Sequence, residues 1–254
     1  MERIKTLKAK LLTGTPIFGI FTRLVDPDAV EALAASALDF VVLDAEHGSL
    51  ARSDINRIVA IARAHDMPVI VRVSGYHQSE IHHAIAVGAS GVIIPHIADG
   101  EAAQKAADFV ASACLERAYA GMGRAADYRR PTWETFKDEA RRQLVTIAQI
   151  DEKEGAEKAE EIARASDIDA VFVGSLSLAL SLGIPLTSAV ELDKTIAKIC
   201  GACVNAGRRV GVHISKADTL PRWTAAGVNL FVVGNDINLL RQGADRLVGQ
   251  FRNG

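Results

Sequence analysis

Eight short apolar runs rich in β-branched residues recur along this 254-residue chain, and helix-like stretches separate them. The runs are Ile17–Phe21, Phe40–Asp44, Pro68–Val73, Gly91–Pro95, Leu144–Ile150, Ala170–Gly174, Arg209–His213 and Leu230–Gly234. Strands that are apolar on both faces need cover on both, as in a parallel sheet flanked by helices. Asp28–Ala35, Arg52–Ala64, Ser79–Val87, Gly100–Ala113, Gly155–Ala165 and Leu192–Ala206 read as those helices. Strict alternation of the two types points to βαβ units. Gly88, Gly207 and Gly227 fall where a helix would end and the next strand begin, a common helix C-cap position. Eight units suit closure into an α/β fold, a (β/α)₈ TIM barrel forming a single domain over residues 1–254, for which about 250 residues is typical. An open doubly wound sheet is the alternative.

Composition narrows the function classes. Hydrophobic residues make up 49% of the chain, ample for a large core. Lys+Arg 29 against Asp+Glu 31 gives a net charge of −2, and no basic tract marks a nucleic-acid surface. No stretch approaches the roughly 18 consecutive apolar residues of a membrane span, and Met1–Leu12 lacks the apolar centre of a signal peptide. The expectation is a cytoplasmic protein with a small-molecule partner. Cys200 and Cys203 have the spacing of a redox or zinc pair, but no second pair completes a metal site. On a helix they share one face, as two small core residues would.

In such a barrel the chemistry collects at the C-terminal ends of the strands. Five ends carry ionisable groups that a purely structural barrel has no reason to place there. The second run leads into Asp44-Ala45-Glu46-His47, the strongest acid/base set in the chain. A histidine oriented by a carboxylate on its far nitrogen is a good general base. Arg72 lies in the apolar third run and needs an anionic partner, either a substrate carboxylate or Asp44 or Glu46. On the fifth run, period two places Gln149 and Asp151 on one face and Glu152 on the other. His213 ends the seventh run. His65, His77, His82, His83 and His96 follow no metal-ligand spacing and read as surface or packing residues. The connection from Pro95 to Leu144 is long enough for a lid, with Arg117 and Arg124 near Gly121 and Gly123.

The chain resembles the HpcH/HpaI family of class II, metal-using 2-oxoacid aldolases. The likeness runs from about Leu12 to Ala244. It rests on Asp44-x-Glu46-His47, Arg72, Gly88–Pro95, Arg117 with Arg124, Gln149-Ile150-Asp151 and Asp169–Gly183. The resemblance implies a carbon–carbon lyase, an aldehyde-lyase acting on pyruvate or oxaloacetate through an enolate. A divalent ion, Mg²⁺ or Mn²⁺, would act as Lewis acid. Arg72 would hold the oxygen that becomes negative, the Asp44–His47 pair with Glu46 would move the proton, and Gln149 would position the oxoacid. Backbone N–H groups of Gly174, Ser175 and Leu176 would take its carboxylate. Arg124 joins the substrate-binding set, and a homo-oligomer, a hexamer, is implied.

Two positions depart from the family pattern: Asp151 stands where the family has Glu, and Ser177 where it has Asp. Both expected metal ligands are altered, and a neutral hydroxyl is a poor ligand for a hard cation. The cofactor is therefore a weakly held ion or none. One alternative is a metal-independent synthase joining an oxoacid to an acyl-CoA, with Arg72 and Arg124 supplying the positive charge. The other is a non-catalytic barrel that binds an oxoacid.

Overall fold

The computed structural model describes residues 2–120, 124, 128, 142–185 and 188–252, with the backbone alone at 117–120 and 189. Helix α1 (Glu2–Thr13) precedes β1 (Ile17–Thr22), α2 (Pro27–Ala34), β2 (Phe40–Asp44), α3 (Arg52–Ala64) and β3 (Val69–Arg72). There follow α4 (Gln78–Ala86), β4 (Gly91–Ile94), α5 (Gly100–Ala120), β5 (Val145–Ile150), α6 (Lys153–Glu157) and α7 (Ala159–Arg164). Next come β6 (Ala170–Val173), α8 (Ser175–Ser181), α9 (Ala189–Asn205), β7 (Arg209–His213), α10 (Leu220–Ala225), β8 (Val228–Asn235) and α11 (Asp236–Arg252). The strands close in order, β1 to β8, into a parallel barrel. The open-sheet alternative is set aside.

Side-chain alternation explains how the barrel fills and where its site lies. One cluster of buried residues takes Ile17, Phe40, Val42, Ile70, Ile93, Val145, Ile147, Ala170, Phe172, Leu230 and Val232, the inward positions of seven strands. The outward positions, such as Val41, Leu43, Val69, Val71, Val92 and Ile94, join the second cluster, under the helices. Large and small residues alternate inside. A Cβ on Gly211 would lie 2.7 Å from the Phe172 ring and 2.6 Å from Leu230, and one on Gly19 would overlap Phe40. These glycines therefore leave volume for the phenylalanines. Continuing the same period-two count puts Asp44, Arg72 and Gln149 inward at the C-terminal mouth.

The opposite end is plugged by α1, whose Leu7 and Leu11 belong to the interior cluster. Lys8 pins the plug, with Nζ 2.9 Å from both the Asp169 carboxylate and the Leu144 carbonyl. Asn229 Nδ2 donates to the Leu11 carbonyl at 2.7 Å. The charged opening segment is thus an amphipathic helix that the apolar-run count did not anticipate. Cys200 and Cys203 are buried in the outer cluster as expected, and burial pushes both thiols up to about 12. No helix among the described residues is long and apolar enough to cross a membrane.

Candidate active site

The mouth of the barrel holds one connected run of charged groups. Asp44, at the end of β2, is fully buried. Its Oδ1 accepts from Arg72 Nε at 3.0 Å and Nη2 at 2.8 Å, and its Oδ2 accepts from Arg23 Nε at 3.0 Å. Burial alone would raise the Asp44 pKa. The Arg72 charge, with hydrogen bonds from Arg72, the His47 backbone and Arg23, overcomes this and holds the carboxyl below its ordinary value. Arg72 Nε also lies 3.1 Å from Glu46 Oε2. Among the described residues that oxygen has no directed hydrogen bond, because the Nε–H points at Asp44, and the contact is an ion pair. The guanidinium rests on the Phe21 ring, 4.6 Å from its centroid.

The expected Asp44–His47 pair forms through the backbone. Asp44 Oδ1 accepts the His47 backbone N–H at 3.1 Å, so it orients the loop rather than the imidazole. The ring is half-exposed, and its contact with a carboxylate is with Glu46, 4.0 Å away. His213 lies on the inward face of β7. Burial and the nearby Arg72 charge both lower its pKa.

On the far side of the mouth, Gln149 Nε2 donates to both oxygens of Asp151, at 2.8 and 3.0 Å. Among the described residues, Gln149 Oε1 is buried without a partner. Gly174 stands beside them, and a Cβ there would overlap Asp151 Oδ1 and lie 3.3 Å from Gln149 Nε2. The Gly174 N–H donates to the Ile150 carbonyl at 2.9 Å, so it is spent in the sheet and cannot hold a carboxylate. The N–H groups of Ser175 and Leu176 open α8, where a first helical turn leaves donors unpaired. Ser177 is half-buried in the same turn.

His96 joins the two sides, contrary to its reading as a surface or packing residue. Its Nε2 lies 3.0 Å from Glu46 Oε1 and its Nδ1 2.6 Å from Glu152 Oε1. Its backbone N–H donates to Asp151 Oδ2 at 3.0 Å. The residue follows the end of β4 with φ 60°, left-handed backbone that is uncommon outside glycine. Burial would lower its pKa, but the Glu152 hydrogen bond and the charges of Asp151, Glu152 and Glu46 raise it. Glu152 also departs from expectation. Strand β5 ends at Ile150, so alternation stops there and Glu152 turns back beside Asp151. His96, Asp151 and Glu152 offer ligand atoms that all lie within 4.8 Å of one another, a group able to hold a metal ion.

Arg124 is not brought to this mouth. Its Nη1 donates to the carbonyls of Asn56 and Val87, both at 3.2 Å, beside Gly88 at the N-terminal end of β4. The Arg117 side chain and the remainder of the expected lid lie outside the described residues. Arg23, which the reading of the strand ends passed over, is part of the site through Asp44.

A family model described as HpcH/HpaI aldolase/citrate lyase matches residues 18–242. The chain belongs to that family. A hydroxypyruvate/pyruvate aldolase of Paraburkholderia phytofirmans is 30% identical to this family member over 241 residues, 91% of each chain. Among solved structures, an HpcH/HpaI aldolase/citrate lyase family protein from Burkholderia cenocepacia superposes with a TM-score of 0.87 at 25% identity, covering 98% of this chain and 99% of that one. The citrate synthase SbnG superposes with a TM-score of 0.82 at 25% identity, covering 97% of each.

Proposed function

We propose that this HpcH/HpaI family member is a carbon–carbon lyase that cleaves or forms a bond beside the carbonyl of a 2-oxoacid, pyruvate or oxaloacetate, through an enolate. The observation that carries the reading is the placing of Arg72 and Asp151 at one barrel mouth. Arg72 is fixed by Asp44 and Glu46, while Asp151 is fixed by Gln149. In this reading Arg72, itself buried, binds the oxygen that gains charge as a preorganised donor. Gln149 orients the oxoacid. Asp44 holds both guanidiniums in place, and Glu46 and His47 handle the proton, with His213 the other imidazole at the mouth.

A divalent ion, with Asp151 among its ligands, would supply Lewis-acid stabilisation of the oxoacid carbonyl. The similarity to a pyruvate aldolase supports the substrate class. The synthase alternative called on Arg124 as well as Arg72 for positive charge, and the Arg124 guanidinium is engaged by the Asn56 and Val87 carbonyls. The decisive assay follows pyruvate release from 4-hydroxy-2-oxoacids with a coupled dehydrogenase. Release that stops with chelator and returns with Mg²⁺ or Mn²⁺ supports the lyase. Indifference to chelator, with turnover only when an acyl-CoA is supplied, would establish the synthase instead.

The enzyme is also proposed to be a homo-oligomer. Helix α11 exposes Ile237, Leu240, Leu247, Val248 and Phe251, the last 82% accessible. Their helical spacing makes one apolar stripe, and contiguous exposed apolar surface marks contact sites. Light scattering that returns the 27.1 kDa mass of a single chain would refute self-association.

A further inference from the structure

We propose that His96, Asp151 and Glu152 form a mixed nitrogen–oxygen site for one divalent transition-metal ion, with His96 and Glu152 standing in for the carboxylate absent at Ser177. The inference rests on the metal-dependent reading above and specifies its ligands. Asp151 is the fixed member, fully buried and held by Gln149 and the His96 backbone. The side chains of His96 and Glu152 are 47% and 41% exposed and can adjust around it. His96 Nδ1 lies 2.6 Å from Glu152 Oε1 and 3.9 Å from Asp151 Oδ2. Metal bonds of about 2.0–2.2 Å to imidazole nitrogen and carboxylate oxygen are within reach of that spacing after small side-chain shifts.

Three further observations point to an ion. A metal-binding histidine usually gives its other ring nitrogen to a carboxylate, which fixes the ring and its tautomer. Here Nε2 is 3.0 Å from Glu46 Oε1, whose side chain is 6% exposed, and Nδ1 faces the two acids. Among the described residues, Gln149 Oε1 is a buried acceptor without a partner, on the inward face of β5. Finally, among the described residues neither Asp151 nor Glu152 has a lysine or arginine within ion-pair distance; the basic group beside them is the imidazole. Two buried or half-buried carboxylates without a guanidinium are costly unless a cation joins them.

The ligand type also sets the preference. Imidazole suits the later first-row ions, whereas Mg²⁺ favours sites built from oxygen alone. The full-length protein, stripped with chelator, should bind Co²⁺ at one equivalent and at least about tenfold more tightly than Mg²⁺ by calorimetry. His96→Gln should weaken Co²⁺ by about tenfold or more and narrow its advantage over Mg²⁺. Glu152→Gln should weaken both ions, and Ser177→Ala neither. Pulsed electron paramagnetic resonance of Mn²⁺ in the unaltered protein, which needs no variant to fold, should show coupling to a directly bound imidazole nitrogen. Missing nitrogen coupling, or His96→Gln with unaltered Co²⁺ affinity, overturns the assignment while leaving an ion on Asp151 standing. An unaltered protein that binds neither ion overturns the metal-dependent reading together with it.

Discussion

Arg72→Lys is expected to lower kcat/KM by about 10²–10³ while the barrel stays folded. Lysine keeps the positive charge but loses the planar fork. In the native site Nε and Nη2 both engage Asp44, and Nε also faces Glu46. A single ammonium cannot hold both carboxylates and still present a donor to the substrate oxygen. The Phe21 ring beneath the guanidinium would also lose its stacked partner. Steady-state kinetics on the 4-hydroxy-2-oxoacid that releases pyruvate, with circular dichroism as the folding check, decides the matter. Native kcat/KM in the lysine variant would remove Arg72 from the role of oxyanion partner.

Asp44→Ala should be the most destabilising substitution in the site, by about 3–5 kcal/mol, because it strips a buried pair of one partner. Arg72 would keep the Glu46 contact but lose both hydrogen bonds to Asp44, and Arg23 would lose its anchor. The effect carries a pH signature. The folded-state pKa of Asp44 lies below its ordinary value. Its contribution is therefore fully present above the unfolded pKa of about 3.9 and is lost as pH falls through the folded value. Urea melts should show the widest gap between native protein and variant near neutrality, with the two converging in acid. A gap that grew on acidification would contradict the paired, ionised carboxylate.

Much of this architecture was legible because burial writes period and composition into the chain. All eight runs become strands, with ends shifted by no more than two residues. Arg72 and Asp44 could be found because a charge inside or ending an apolar run needs a partner. The site residues that escaped lie where no period operates. Arg23, His96 and Glu152 follow strand ends, and their directions are set by loop backbone. For His96 that includes a positive φ that nothing in a local pattern announces. The signal available for His96 was positional: it follows Pro95 at the end of the fourth run, a place where catalytic groups collect. Helix α1 escaped for a different reason, since its three buried positions are Ile4, Leu7 and Leu11 amid charged residues. The position of Arg124 depends on where a long connection folds, which spacing along the chain cannot encode.

In the proposed reaction this mouth would remove a proton from the carbon beside a 2-oxoacid carbonyl, with a divalent ion and Arg72 holding the charge that develops. Solvent-deuterium exchange into the methyl group of pyruvate, followed by NMR, isolates that step from any carbon–carbon cleavage and needs no knowledge of the second substrate. Protein-catalysed exchange is expected to require a divalent ion, Mg²⁺, Mn²⁺ or Co²⁺, to stop with chelator and to fall sharply in Arg72→Lys. Exchange at the uncatalysed rate with every ion tested, for both pyruvate and the corresponding carbon of oxaloacetate, would contradict it.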